Sequence, residues 1–232
     1  MSKADDDKKR TMKALVYDGD LHMREIPVPV VKKGESLIKV KLAGICATDR
    51  EIASGYMNFK GVPGHEFVGV VKQSDDKNLI GKRVVGEINC GCGECEMCRS
   101  GLERHCPNRT TLGIFQRDGA FAEYLTLPDG NLIEILSEID DRTAVFTEPL
   151  AAALEILEQV KIIPSWKVLI IGDGKLAALI AQVFRLHSVD LTILGKSAEK
   201  LTRFEEWGMK IIDRLTEPAG YDLVVEASGS PD

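Results

Sequence analysis

The sequence predicts an α/β plus β protein: an antiparallel barrel or sandwich, then a partial doubly wound parallel sheet. Three observations carry that expectation. Short apolar runs separated by turn residues fill the stretch from Lys13 to about Ile88. A long helical periodicity first appears near Pro149, and from Lys167 strands and helices alternate. Between these halves lies a glycine-punctuated loop carrying four cysteines at C-x2-C-x2-C-x7-C spacing: Cys92, Cys95, Cys98 and Cys106.

Ala14 to Tyr17, Ser36 to Leu42, Phe67 to Lys72 and Arg83 to Ile88 read as strands. Asp18-Gly19-Asp20, Lys33-Gly34-Glu35 and the polar stretch Gln73 to Asn78 read as turns, and Pro27 and Pro29 mark an extended segment. Leu150, Leu154, Leu157 and Val160 fall at helical spacing, with Pro149 suited to the first helical position and Pro164 closing the segment. Lys167 to Ile171 is a buried-strand run. An apolar helix Ala178 to Leu186, a strand Leu191 to Leu194 and a helix Ala198 to Trp207 follow, then strands Lys210 to Ile212 and Asp222 to Glu226. That alternation means parallel βαβ units.

The chain has 232 residues and a formal net charge of −6, with no basic cluster, which counts against nucleic acid as a partner. No apolar run suits a bilayer span, so no membrane partner is expected. Residues 1–12 read as a charged, disordered tail without the apolar core of a signal peptide, which makes the cytoplasm the expected location.

In that reducing setting, clustered thiols point to metal rather than disulfides. Cys92, Cys95, Cys98 and Cys106 would fill a tetrahedral zinc shell, leaving no open position for chemistry. Gly91, Gly93 and Gly101 permit the tight turns this requires. A second, looser set comes from Gly44-Ile45-Cys46-Ala47-Thr48-Asp49, Gly64-His65-Glu66 and Glu148-Pro149-Leu150. Cys46, His65 and one of Glu66 or Glu148 would give a catalytic zinc its protein ligands and leave one position exchangeable. Both carboxylates together would make the site net negative and a poorer Lewis acid, so one glutamate is expected to ligate. Taken singly, Cys46 reads as core, His65 as packing and Glu148 as a helix-start acid favoured by the dipole.

Gly172-Asp173-Gly174-Lys175-Leu176-Ala177 follows a strand and opens a helix, the context in which G-x-G-x-x-A seats a pyrophosphate on a helix N-terminus. Gly172, Gly174, Lys175 and Leu176 are therefore cofactor-binding candidates. At the end of the second strand, where an acid would hold the ribose hydroxyls of NAD, stand Gly195, Lys196 and Ser197. Room, a positive charge and a hydroxyl there predict NADP(H) over NAD(H).

Taken in order, G-I-C-A-T-D, G-H-E-F-V-G, the four-cysteine loop, E-P-L-A and I-G-D-G-K-L-A resemble the zinc-dependent medium-chain dehydrogenase/reductase family, the alcohol dehydrogenase-like group. The resemblance runs from about Lys13 to the end. It implies a GroES-like domain over residues 13–155 carrying two zincs, a partial Rossmann domain over residues 156–232 carrying NADP or NAD, and an active cleft between them. It also implies that Cys46, His65, Glu66 and Glu148 supply the catalytic zinc site, that Thr48 relays the substrate proton, and that Asp49 stands beside the metal ligands. Glu51 stands where alcohol-oxidising members often extend the relay with a histidine, and is the second catalytic candidate. The implied reaction is hydride transfer between an alcohol, polyol or sugar hydroxyl and NAD(P), with the T-D-R-E stretch leaning towards polyols and sugars. Cys90 is expected to pack and His105 to lie on the surface. A six-stranded Rossmann sheet would lack its last two strands, and the segment that carries the family's dimer contact would be missing with them. The alternative is therefore a catalytically silent zinc-binding fragment, and the expected homo-oligomer depends on that missing part.

Overall fold

The computed structural model describes residues 10–215 and 220–229. The charged segment expected to be disordered lies outside these residues except for its last positions. The chain divides between Glu148 and Pro149 into two compact units.

The first unit is built mainly of antiparallel strands. Strands β1 (Thr11–Tyr17) and β2 (Leu21–Pro27) form a hairpin in which Thr11 pairs with Pro27. A five-stranded sheet uses β3 (Glu35–Gly44), β4 (Glu66–Gln73), β5 (Arg83–Gly86), and two later strands given below. Helix α1 (Ala47–Ala53) follows β3, and the lobe after β5 holds β6 (Asn89–Cys90), the short helix α2 (Glu96–Arg99), β7 (Thr110–Leu112) and β8 (Gln116–Arg117). Strands β9 (Tyr124–Pro128) and β10 (Leu132–Glu134) complete the sheet order β10-β5-β4-β3-β9.

Strand β4 is central, and its two-residue alternation feeds two cores. Phe67 and Val71 join Ile38, Val84, Leu125 and Leu127 in one cluster, while Val68 joins Val85, Ile135 and Val145 in another. A strand covered on both faces places its first residue in the interior as well. Glu66 is accordingly only 1% exposed.

After the short helix α3 (Asp141–Ala144), helix α4 runs Thr147–Gln159. Pro149 thus occupies the third helical position instead of the first. It costs nothing there, because N–H groups of the first turn have no intrahelical partner.

The second unit contains β11 (Lys167–Ile171), α5 (Lys175–Arg185), β12 (Asp190–Leu194), α6 (Ala198–Glu206), β13 (Lys210–Ile212) and β14 (Leu223–Glu226). Its strands are parallel in the order β13-β12-β11-β14, the 3-2-1-4 part of a Rossmann sheet. Val168, Ile170 and Ile193 from the strands pack with Ala177, Ala181, Phe184, Leu201 and Phe204 from the helices. Helix α5 begins at Lys175, three residues before the apolar run starts, because Gly174 already serves as its N-cap. Among the described residues no helix is long and apolar enough to cross a membrane.

Candidate functional site

Register alone assembles the first constellation. Gly44, the last residue of β3, pairs with Glu66, the first of β4. Cys46 follows Gly44 by two positions and His65 immediately precedes Glu66, so both reach the same end of the sheet. One ligand atom from each of Cys46, His65 and Glu66 lies within 4.8 Å of the others. A Cβ at Gly44 would meet Glu66 Oε2, so the carboxylate lies in the space that a side chain there would take.

Asp49 links two members of this set. It sits in the first turn of α1, where Oδ2 accepts a hydrogen bond from the Cys46 backbone N–H at 2.7 Å. Its other oxygen, Oδ1, lies 3.4 Å from His65 Nδ1. Both of those atoms are buried, and neither has a hydrogen-bond partner among the described residues. With Nδ1 turned to a carboxylate, Nε2 is the nitrogen left for a metal, the arrangement by which an acid fixes a ligating imidazole. Burial by itself lowers the His65 pKa. The Asp49 carboxylate, then Cys46 and Glu148, override that and lift it to about 10. His65 in turn leads the groups that hold the Cys46 thiol below its ordinary value, against the opposing effect of burial.

Asp49, His65 and Glu66 are 6%, 3% and 1% exposed, so two carboxylates, an imidazole and a thiol share one largely dry volume. Such a group is costly unless a cation compensates it. A thiolate, an imidazole and a carboxylate are also a donor set zinc accepts with a position to spare. The residues present therefore fit a catalytic zinc. Glu148 stands outside the 4.8 Å set but near enough to raise His65, whereas Glu66 lies within the set. Thr48 Oγ1 is 3.8 Å from Cys46 Sγ. Glu51, on the same helix, is exposed.

The second constellation is Cys92, Cys95, Cys98 and Cys106, whose sulfurs also lie within 4.8 Å of one another. All are free thiols. Cys95 Sγ stands 3.5 Å from Cys98 Sγ and 3.7 Å from Cys106 Sγ. Tetrahedral zinc with Zn–S bonds of about 2.3 Å needs S···S separations of about 3.8 Å, so the spacing fits the ion closely. Backbone N–H groups point at the sulfurs, Cys98 N to Cys95 Sγ at 3.5 Å and Cys92 N to Cys106 Sγ at 3.4 Å. The N–H groups of Glu94 and Cys95 bring Cys92 down to about 6. Cys90 belongs to the barrel core and His105 is exposed, as expected for residues outside the shell.

In the second unit, β11 ends at the glycine turn. Gly172 has φ +131°, and a Cβ there would lie 2.6 Å from the Ala227 carbonyl oxygen, so glycine answers both a backbone and a space requirement. Gly174 caps α5 with nothing within 4 Å of a Cβ, the open approach a pyrophosphate needs above the first turn formed by Lys175 and Leu176. Ala177 is fully buried, consistent with close helix packing at the third fingerprint position.

At the end of β12, a Cβ on Gly195 would meet the side chains of Asp173 and Leu201, so the position where a strand-end acid would stand is already taken by Asp173 reaching across from the glycine turn. From the sequence alone Asp173 is only the residue between the two turn glycines. The available signal was a charged residue between the two turn glycines combined with a glycine where the strand-end acid belongs. Gly44 is similarly only part of a stretch in the sequence, since its role depends on which residue pairs opposite.

A barrel unit with paired metal constellations and a Rossmann unit with a glycine turn define an oxidoreductase of the dehydrogenase class. Residues 32–137 match the alcohol dehydrogenase GroES-like domain. The chain is 31% identical to sorbitol dehydrogenase from Halalkalibacterium halodurans, over 94% of this chain and 71% of that protein. It is 32% identical to erythritol/L-threitol dehydrogenase from Mycolicibacterium smegmatis, over 94% and 70% respectively. Among solved structures, an alcohol dehydrogenase from Escherichia coli complexed with NADH superposes with a TM-score of 0.86 at 28% identity, covering 95% of this chain and 70% of that one. A zinc-binding dehydrogenase from Sinorhizobium meliloti bound to NADP gives 0.85 at 30% identity, covering 96% and 71%. The chain belongs to the zinc-dependent medium-chain dehydrogenase/reductase family.

Proposed function

We propose that the protein is a two-zinc, NAD(P)-dependent dehydrogenase acting on an alcohol, with polyols and sugars as the favoured class. Residues 13–155 are its catalytic domain and residues 156–232 its nucleotide-binding domain. The observation that carries this reading is the convergence of Cys46, His65 and Glu66, with His65 Nδ1 turned to the buried Asp49 carboxylate. Sorbitol and erythritol/threitol dehydrogenases among the relatives support the substrate class.

Cys46, His65 and Glu66 would hold the catalytic zinc, and Glu148 would exchange with Glu66. When bound, the ion supplies a Lewis acid for the substrate oxygen and the nicotinamide supplies the hydride partner. Thr48 takes the hydroxyl proton at Oγ1 and passes it on. The exposed carboxylate of Glu51, on the same helix, is the relay's outlet to water. Asp49 holds both the Cys46 backbone and the His65 ring, so the two ligands keep their geometry through turnover. Cys92, Cys95, Cys98 and Cys106 would hold a structural zinc that staples a lobe with little regular structure. In the nucleotide domain, Gly172, Gly174, Lys175 and Leu176 receive the pyrophosphate. Lys196 and Ser197 supply the charge and hydroxyl that favour NADP(H), whereas the Asp173 carboxylate packed against Gly195 opposes it.

The test is zinc content together with NAD(P)-linked oxidation of a polyol panel by the 232-residue chain. Two zincs and turnover that chelation abolishes support the proposal. Zinc in the cysteine lobe alone, with no nucleotide binding, would favour the silent fragment.

A further inference from the structure

Asp173 and Gly195 compete for one volume. A Cβ at Gly195 would lie 2.9 Å from Asp173 Cβ, 3.1 Å from Asp173 Oδ2 and 2.8 Å from Leu201 Cδ2. An acid at the end of β12 and the present Asp173 cannot coexist without rearrangement. The side chain at 173 reaches the strand end from the glycine turn and closes its carboxylate over the next two residues. Oδ2 accepts hydrogen bonds from the backbone N–H groups of Lys196 and Ser197, each at 2.9 Å, and Oδ1 stands 3.5 Å from Lys200 Nζ.

We propose that Asp173 is the residue that determines cofactor specificity: its carboxylate replaces the missing strand-end acid, accepts the adenosine ribose hydroxyls of NAD(H), and repels the 2′-phosphate of NADP(H). This rests on the nucleotide site proposed above. Three considerations support it. The Lys196 and Ser197 amides, donors that a 2′-phosphate would seek, are already engaged by a carboxylate. A carboxylate offers about four lone-pair sites, so after two amides and one ammonium it retains capacity for a ribose hydroxyl. Lys196 itself is exposed, where water and salt weaken its pull on a phosphate. The group also stays charged: burial would raise its pKa, but the Ser197 and Lys196 amides and Lys200 together hold it below the usual carboxylate value.

The experiment is fluorescence titration of the full chain with NADH and with NADPH, for wild type, Asp173→Asn, and the transposition Asp173→Gly/Gly195→Asp. Wild type is expected to bind NADH at least about ten-fold more tightly than NADPH. Asp173→Asn keeps an acceptor oxygen for the turn but loses the charge, so the ratio should fall to near unity or reverse, with NADPH gaining. The transposition restores an acid from the strand side, which the backbone allows because Gly195 is not among the positive-φ glycines. Its NADH preference should return. Tighter NADPH binding by wild type overturns the inference. So does an equal loss for both nucleotides in Asp173→Asn, the result expected of a residue that merely supports the turn. Failure of wild type to bind either nucleotide would overturn the nucleotide site itself, and this assignment with it.

Discussion

Glu66 Oε2 occupies the space that a side chain on Gly44 would need, so the cross-strand partner of the glutamate is its cradle. A buried carboxylate at the start of a central strand has few places to go. The glycine opposite gives it one, beside Cys46 and His65.

Gly44→Ala should therefore displace Glu66 and remove the catalytic zinc while sparing the four-cysteine site. Metal analysis is expected to fall from about two zincs per chain to about one, with activity lost in parallel. Retention of both ions would mean that Glu66 is not a ligand, and would return Glu148 to that role.

Zinc binding at the same site should expel a proton from His65. Its pKa in the metal-free protein is raised to about 10, so at neutral pH the imidazole is protonated and must become neutral to ligate. The stabilisation of the metal-free fold by this charged His65 is complete below its unfolded pKa and is lost as pH rises through about 10. Titration calorimetry near neutral pH in buffers of different ionisation enthalpy should show release of about one proton attributable to His65, absent in His65→Ala.

Much of this fold is legible in sequence because hydrophobic periodicity and turn chemistry agree. The run Lys167 to Ile171 and the strand-turn-helix around Gly172 are examples. Helix α1 is less visible, since Ala47–Ala53 is too short to show an apolar period and is set by Asp49 reaching back to the Cys46 N–H. The candidate metal ligands are legible as residue types at motif spacing. That Glu66 meets Cys46 and His65 while Glu148 stands outside their set is not, because that depends on the β3–β4 register. The Asp173–Gly195 exchange is hidden for a similar reason: it is a relation between two turns 22 positions apart in the chain, meeting only when parallel strands align β11 beside β12.

Within the cysteine lobe the thiols are inequivalent before metal arrives. The amides of Glu94 and Cys95 bring Cys92 to about 6, whereas burial pushes Cys98 up to about 12. In zinc-stripped protein, Cys92 should alkylate first at neutral pH, and its rate should fall as pH drops through about 6 and the thiolate is lost. Cys98 should stay unreactive under the same conditions. Peptide mass spectrometry after brief iodoacetamide treatment reads both. Equal labelling would show that the amides are not aimed at Cys92.

Thr48 tests the proton path separately from metal binding. Its hydroxyl stands 3.8 Å from Cys46 Sγ, yet threonine is not a donor this site needs to hold the ion. Thr48→Ala removes the relay and Thr48→Ser keeps it, so the pair separates the hydroxyl from the methyl group. The expected loss in kcat for alanine is about 10²–10⁴-fold, the usual worth of a positioned proton-transfer group, with serine recovering most of it. Zinc content should match wild type in both variants. Loss of zinc in Thr48→Ala would make the residue a support for Cys46 rather than a relay, since the backbone N–H of Thr48 also helps lower the Cys46 thiol and a shifted helix start would remove that donor.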